Sequence, residues 1–232
     1  MCEKYLTVPS NAKGNFHLFL KKTINVWLPV LIILALVGAA FVNLRLASTF
    51  QLQDDFAPRW VAAREWMRTG ASPYGDSTHK ATLELLEANG NEPAGSSQGR
   101  FYDPAWYVLF YLPISFVPYP IARAIWMTLV EISLVLSVFL SIRLAGLKLS
   151  IPELLLMSFL VLVFYPFFKS ILTVSVTAPY VFLTLLAVYL AREHQGTMAG
   201  FLFALAVWMV PLSFFLVILF MIWLGARRDG SL

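Results

Sequence analysis

Long apolar stretches separated by short polar breaks make up most of this chain. A helix needs about 20 apolar residues to cross the hydrocarbon core of a bilayer, so these stretches predict transmembrane helices. The predicted segments are 27–46, 104–117, 121–145, 151–168, 171–191 and 197–224. Segment 104–117 is the shortest, and its length also suits a broken or re-entrant helix. The pattern predicts an all-α polytopic transmembrane helical bundle, with residues 1–232 as a single membrane domain.

Residues 48–103 are the one long break in this pattern, and ordered loops of such length are usually functional. Apolar side chains recur at helical spacing in its first half: Phe56, Trp60, Ala63 and Met67. Pro58 suits the first turn of a helix and Gly70 suits its end. Because Arg64 and Arg68 occupy another face, we expect this helix to lie flat at the membrane interface, with tryptophans among the headgroups and arginines near lipid phosphates.

A second interfacial helix is predicted in the same loop. Ser77 is its expected N-cap, the helix extends to Asn89, and Gly90 ends it. Residues 91–99 are polar and contain Gly and Ser, which predicts a link to the next apolar segment.

The composition agrees with a membrane protein. Hydrophobic residues make up 59% of the chain and charged residues 13%, whereas soluble domains carry about 25% charged residues. This excludes a water-soluble single domain, and the single cysteine, Cys2, excludes a disulfide scaffold. In a membrane protein a net charge of +4 marks cytoplasmic loop ends, so we expect membrane lipids as partners and no nucleic acid.

Positive charge in short loops sets the orientation of such a protein. If all six segments cross, the inner loops hold the N-terminal lysines, Arg123, Lys169, Arg227 and Arg228, and the outer loops hold Arg143, Lys148 and Arg192. We therefore expect a multi-pass protein of the cell membrane, with a cytoplasmic N-terminus and an extracytoplasmic loop 48–103. If 104–117 does not cross, every later loop changes side.

Two adjacent carboxylates, Asp54 and Asp55, lie between the first segment and the interfacial helix. Chemistry on a lipid-linked substrate needs a base at the depth of the headgroups, which is one interpretation of this pair. The other is that the acids cap a helix N-terminus, where the helix dipole favours a carboxylate. The residues alone leave both interpretations open.

Other charged residues also allow two interpretations each. Arg59, Arg64 and Arg100 can clamp a phosphate through forked hydrogen bonds, or they can contact lipid headgroups. Glu131 falls near the middle of the third segment. It can be a functional acid, or it can be a neutral group that is hydrogen-bonded between helices. No spacing of His, Cys and acids predicts a metal site, and no cofactor is expected.

Three blocks of sequence follow one another between about residues 50 and 215. The first contains Asp55-Phe56, Trp60, Ala62-Ala63-Arg64, Gly70 and Pro73-Tyr74. The second contains Phe101-Tyr102, Pro104, Leu112-Pro113, Val117-Pro118-Tyr119-Pro120, Ala122 and Trp126. The third contains Ala199-Gly200-Phe201, Leu205-Ala206 and Pro211. In this order they resemble glycosyltransferase family 87, which holds polyprenyl-phosphate-mannose-dependent mannosyltransferases of the GT-C membrane fold.

The resemblance implies an inverting hexosyltransferase on the outer face of the membrane. It would transfer a hexose, with mannose expected, from a polyprenyl-phosphate donor to a lipid or glycan acceptor. The usual candidate base of this fold is an acid in the first outer loop, which matches Asp55, with Asp54 as the fallback. Arg64 is the family-matched arginine for the donor phosphate. The remaining candidates are Arg59 and Arg100 for the same phosphate, and Tyr74, Tyr102 and Glu131.

The chain departs from the family pattern at several places. Asp103 stands where the family has the first proline of Tyr-Pro-Pro. Residues 174–177 read Val-Ser-Val-Thr where Gly-Gln-x-Asn is usual, and no lysine precedes Pro211. Members are also commonly longer, so a fragment, a truncated product or a divergent member is expected.

Two further classes of function remain open. The departures favour a non-catalytic membrane scaffold that binds polyprenyl lipids through the same loop. Prolines inside apolar segments favour a transporter or flippase, in which broken helices surround a site at the membrane midplane. The sequence shows no internal repeat of the kind many transporters have.

Overall fold

The computed structural model describes residues 33–48, 55–89 and 99–210, together with the single positions 30, 215, 218, 219, 222 and 225. All regular structure in these residues is helical, which confirms the all-α prediction. The helices are α1 (Ile33–Ser48), α2 (Phe56–Thr69), α3 (Asp76–Ala88), α4 (Tyr107–Ser115), α5 (Tyr119–Leu144), α6 (Ile151–Val163), α7 (Tyr165–Leu172), α8 (Thr177–Arg192) and α9 (Gly196–Met209). The chain divides into two compact units between Val42 and Asn43. In the first, the described residues 33–42 are helical and mostly exposed.

The first half of α2 belongs to the hydrophobic core of the second unit. Phe56 and Ala63 are fully buried and Trp60 is 3% exposed, because this face packs against α4 and α5. The predicted helix and its end at Gly70, where φ is +71°, are confirmed. The expectation that its apolar face lies in lipid is wrong, since other helices cover that face and only its C-terminal end, around Met67, is exposed.

α3 is the second predicted helix of the loop. It ends at Ala88 with Asn89 as its C-cap, one residue before the predicted end, and its N-cap is Gly75, so the prediction of Ser77 as the N-cap is wrong. Ser77 instead lies in the first turn, after Asp76. Gly90 and most of the predicted polar link lie in residues 90–98, outside the described residues.

α5 is the one helix among the described residues that is long and apolar enough to cross a bilayer, and it matches the predicted segment 121–145. α6 and α7 are long and apolar enough to cross a bilayer only when they are taken together. They are bent by 64° relative to each other, as in a broken span or a re-entrant pair. Pro166 lies in the first turn of α7, and proline lacks the backbone N–H that α6 would need to continue. Buried helices of soluble proteins can be equally long and apolar, so the polytopic bundle stays a prediction.

The other predicted segments match helices in part. The described part of 27–46 lies in α1, and 104–117 contains the nine residues of α4. Segment 171–191 is divided between the end of α7 and α8. Segment 197–224 contains α9, and most of its positions after Val210 lie outside the described residues.

Contacts between helix ends define one end of the second unit, which we call the loop end. Arg123 at the start of α5 donates hydrogen bonds to the carbonyl oxygens of Ala47, in α1, and Leu172, in α7, at 3.0 and 3.2 Å. One turn before Ala47, Asn43 bonds to Thr128 and Glu131, which follow Arg123 along α5. The contacts proceed backward along residues 43–47 as they proceed forward along α5, so this last part of α1 is antiparallel to α5.

The opposite end of α5 is the far end. There Arg192, the last residue of α8, donates a hydrogen bond of 2.8 Å to the Leu144 carbonyl oxygen at the end of α5. α5 and α8 therefore both finish at the far end, and α6–α7 returns from it to the loop end.

α4 lies at the loop end. Its nine residues rise about 14 Å, which is half the hydrocarbon thickness of a bilayer. The rings of Phe56, before α4, and Tyr119, after it, have centroids 6.0 Å apart. α5 therefore starts beside the start of α2 and the end of α1, and this geometry favours the alternative in which 104–117 does not cross.

A cysteine-labelling experiment distinguishes the two topologies. In a Cys2→Ser background, Ser96→Cys and Ala145→Cys should react with an impermeant maleimide from opposite sides of the membrane. Ser96→Cys is expected to label in intact spheroplasts and Ala145→Cys only after lysis. Labelling of both from outside would restore the topology in which all six segments cross.

Arg123 is not the inner-loop residue that the six-crossing topology requires. It is 4% exposed inside α5, and its guanidinium binds carbonyl oxygens in the last turns of two other helices. The last carbonyls of a helix have no partner within it and carry the negative end of its dipole. Arg123 therefore joins α1, α5 and α7 through charge-assisted hydrogen bonds.

Replacement of Arg123 by Met should destabilise the protein. Both carbonyl oxygens lose a buried charged donor, so we expect a loss of about 2–4 kcal/mol in the free energy of unfolding, measured by SDS titration of the purified chain. The matched control Arg68→Met alters an exposed arginine and should change the value by less than about 0.5 kcal/mol. Equal stability of the two variants would contradict the role of Arg123.

Candidate functional site

Asp55 occupies the N-cap position of α2, and its side chain makes no capping hydrogen bond. The residue is exposed. The capping interpretation of Asp55 therefore holds only in part. The residue makes no capping hydrogen bond, but its position still places a carboxylate at the positive end of the helix dipole. Asp54 lies outside the described residues.

Arg59, one turn into α2, forms a forked ion pair with Asp103. Its Nε and Nη2 atoms donate to the two carboxylate oxygens at 2.6 and 3.2 Å. The two side chains are only 14% and 24% exposed, so the pair is largely removed from water. The guanidinium carbon also lies 5.7 Å from the centre of the Tyr107 ring.

Tyr74 fixes the backbone that carries Asp103. Its hydroxyl donates a hydrogen bond of 2.8 Å to the Asp103 carbonyl oxygen. Its ring packs against Phe101 with centroids 5.5 Å apart. The loop between α3 and α4 is thus tied to the turn after α2, which holds the Asp103 carboxylate beside Arg59.

Two buried polar atoms beside this ion pair have no hydrogen-bond partner elsewhere in the protein, although the two side chains that carry them interact with each other. They are Nη1 of Arg59 and the hydroxyl of Tyr111, which is fully buried in α4. Buried polar groups are nearly always paired, so an oxygen from another molecule that bound here would have to compete with the contact between Arg59 and Tyr111. Arg59 can only donate, and the tyrosine hydroxyl can donate or accept. We call Asp55, Arg59, Tyr74, Asp103 and Tyr111 the Arg59 cluster.

The charge of Arg59 is secure in this position. Burial acts to lower the pKa of its guanidinium, but Tyr111, Asp103 and Asp55 raise that pKa above its ordinary value. The contribution of Asp55 is the smallest of these, and no ion pair joins its carboxylate to Arg59. The cluster thus holds a buried cation in the first turn of the helix that begins at the exposed carboxylate of Asp55.

The other predicted arginines have different partners. The guanidinium of Arg64 lies over the Trp60 ring at 4.8 Å, a cation–π contact. Arg100 is 3.8 Å from the exposed carboxylate of Asp76. The structure therefore gives the three arginines of the predicted phosphate clamp separate surroundings, and Arg59 alone joins the cluster.

The last two candidates differ in their surroundings. Tyr102 is 71% exposed. Glu131 accepts a hydrogen bond of 2.9 Å from Asn43, whose amide nitrogen also donates to Thr128 at 3.0 Å. Glu131 thus has the hydrogen-bonded position between helices that was one of its two interpretations. No three His, Cys, Asp or Glu residues come together as a metal site within the described residues.

Asp103 and Tyr111 are the members of the cluster that sequence reasoning missed. Asp103 stood out only as a departure from a family pattern. A usable signal existed, because Arg59 lies three residues after Phe56, one turn along the same helix. A buried arginine needs a negatively charged partner, and the acids of loop 48–103 are the nearest candidates in the sequence.

Comparisons with known proteins leave the cluster to be interpreted from its own chemistry. The chain matches no family model, no curated protein and no solved structure.

A double-mutant cycle tests the Arg59–Asp103 pair. Asp103→Asn leaves a buried guanidinium without its counter-charge and should cost about 2–3 kcal/mol in the free energy of unfolding. Combined with Arg59→Gln, it should reveal a coupling of about 1–3 kcal/mol.

The matched control is the exposed pair Lys80–Glu84, whose charged atoms are 3.9 Å apart. The cycle of Lys80→Gln and Glu84→Gln should give less than about 0.5 kcal/mol. If the Arg59–Asp103 coupling is no larger than this, the buried ion pair does not stabilise the loop end.

Proposed function

We propose that this protein is an integral membrane hexosyltransferase that uses a polyprenyl-phosphate sugar as donor. Asp55 is the general base that takes the proton from the acceptor hydroxyl. The acceptor oxygen forms a bond to the anomeric carbon while the bond to the phosphate oxygen breaks, which inverts that carbon. The polyprenyl phosphate leaves as an anion.

The observation that carries this proposal is the state of Asp55. Its carboxylate is exposed and makes no capping bond at the start of the helix that carries Arg59. A carboxylate that stabilised only its own helix would be expected to bond to the backbone N–H groups of the first turn. An exposed carboxylate can instead receive a proton, which is typically worth about 10²–10⁴ in rate.

The neighbouring groups support a phosphate leaving group. A buried cation is the group that stabilises a developing anion most strongly in a site shielded from water. In this proposal Nη1 of Arg59 exchanges its contact with the Tyr111 hydroxyl for a phosphate oxygen. In this proposal Arg59 has the role that the family resemblance gives to Arg64.

The apolar surface of the helices supports a membrane location. None of the residues of α6 is buried, and large apolar side chains such as Ile151, Leu155 and Phe159 are 61–73% exposed. Continuous exposed apolar surface of this kind marks a membrane or a protein interface. In the proposed setting, a cell membrane, lipid covers α6 and the loop end is extracytoplasmic.

A non-catalytic scaffold that binds polyprenyl lipid is the second candidate, and one observation favours it. The fork of Arg59 is already occupied by Asp103, so only Nη1 remains for a ligand. A protein that holds the donor without reacting it needs no more than this.

Asp55→Asn should abolish transfer of labelled mannose from polyprenyl-phosphate mannose in membranes, with a loss of about 10²–10⁴ in rate. The matched control is Asp76→Asn, which removes a 94% exposed carboxylate from the same loop and should retain activity. Expression of both variants is followed by immunoblotting. The release of polyprenyl phosphate is measured in parallel, because it must equal the sugar transferred.

The outcomes separate the candidates. If wild-type protein binds the donor but transfers sugar to no acceptor, the scaffold replaces the enzyme. If Asp55→Asn and Asp76→Asn are equally active, Asp55 is not the base, and Asp54→Asn becomes the decisive variant.

A further inference from the structure

A cavity of about 330 Å³ lies at the far end, between the last turns of α5 and the start of α6. Five of the side chains that line it are apolar, among them Phe139, Leu147 and Leu154. The other two are cations, Arg143 and Lys148. We propose that this cavity binds the phosphate headgroup and upper acyl chain of an anionic membrane lipid.

The two cations are not required to complete the helix ends beside them. α5 ends in a backbone motif in which Gly146 N–H donates to the Arg143 carbonyl oxygen and Leu147 N–H to that of Ile142. Gly146 has φ of +70°, the left-handed conformation that this motif requires. Arg192 supplies a further donor to the Leu144 carbonyl oxygen. The carbonyl groups at this helix end are thus satisfied without the side chains of Arg143 and Lys148.

The nearest acid in the sequence is also engaged elsewhere. Glu153 accepts hydrogen bonds of 2.7 Å from the backbone N–H and the hydroxyl of Ser150, which caps the start of α6. Among the described residues, no carboxylate forms an ion pair with Arg143 or Lys148. Arg143 instead lies over the Phe139 ring at 5.2 Å, which holds its charge above an apolar wall.

This combination of groups matches an anionic amphiphile. Two cations without acidic partners attract a phosphate, and the apolar lining suits the first carbons of an acyl chain. The 26 residues of α5 extend about 39 Å, enough to bring its end to the level of the headgroups. If the loop end is extracytoplasmic, the far end faces the cytoplasm, where anionic lipids draw basic groups to the membrane surface. Soluble phosphate could satisfy the cations but would leave the apolar lining bare.

The test is native mass spectrometry of the full chain released from nanodiscs of phosphatidylcholine with a minor fraction of phosphatidylglycerol. Wild-type protein should retain phosphatidylglycerol in preference to phosphatidylcholine. Arg143→Gln with Lys148→Gln should lower this preference about 25-fold, or about fivefold for each cation. The matched control, Arg68→Gln with Lys80→Gln, removes two exposed cations near the loop end and should keep the preference.

A second variant separates the cavity from general attraction to charge. Leu154→Trp leaves both cations in place and fills the apolar part, and it should also lower retention of phosphatidylglycerol. Thermal unfolding of each variant verifies that it is folded. Unchanged preference in Arg143→Gln with Lys148→Gln overturns the proposal. Displacement of the lipid by millimolar inorganic phosphate does so too, since it would make this a site for the free anion. Both results are independent of sugar transfer.

Discussion

The burial of the first two turns of α2 against α4 and α5 is the constraint on which the loop end depends. The Phe56 ring contacts Tyr111 and Trp126 at 5.7 and 6.2 Å, and these two rings stack on each other at 4.8 Å. Each such pair contributes about 0.5–1.5 kcal/mol beyond the area it buries. Once Phe56 is fixed, the residue before it begins the helix in solvent, and Arg59 is carried into the protein one turn later. Burial of that arginine makes an acid necessary, and Asp103 supplies it. The exposed base and the shielded cation of the proposed site are both consequences of one packing arrangement.

The buried cations of this protein are stabilised in two different ways. Arg59 has a carboxylate, whereas Arg123 has the carbonyl oxygens of two helix ends. An arginine that binds carbonyl oxygens has a structural role, because its donors are bonded to the backbone of fixed helix ends. An arginine paired with a carboxylate side chain can exchange that partner for another anion, provided the new anion binds at least as strongly as the carboxylate. This difference is the reason that the proposal assigns binding of the donor phosphate to Arg59 rather than to Arg123.

The sequence predicted the local structure better than the packing. α2, α3 and α5 follow from apolar spacing, from Gly70 and from an uninterrupted apolar stretch, which are properties of neighbouring residues. The pattern that marks α2 as amphipathic is the same whether its apolar face meets lipid or protein, so the wrong surroundings were assigned to Phe56 and Trp60. The pairing of Arg59 with Asp103 joins residues 44 positions apart, and no local rule connects them. The break at Pro166 was visible in the sequence, but hydropathy alone merged both sides of it into one segment. The roles of Asp55 and the arginines stay predictions from chemistry and resemblance.

The direction of the helices also changes the meaning of the positive charges. With residues 43–47 of α1 antiparallel to α5, the acids Asp55 and Asp103 lie at the loop end, and Arg143, Lys148 and Arg192 lie at the far end. The positive-inside rule counts Lys and Arg in short loops and gives acids little weight. Arg123 no longer enters that count, because it is buried and bonded to carbonyls. If α4 is re-entrant, the three far-end cations lie on the cytoplasmic side, but Lys169, Arg227 and Arg228 then lie on the outer side. With Arg123 left out, each topology has three short-loop cations on either side in addition to the N-terminal lysines, so the packing of α4, rather than the distribution of charge, is the observation that favours a re-entrant α4.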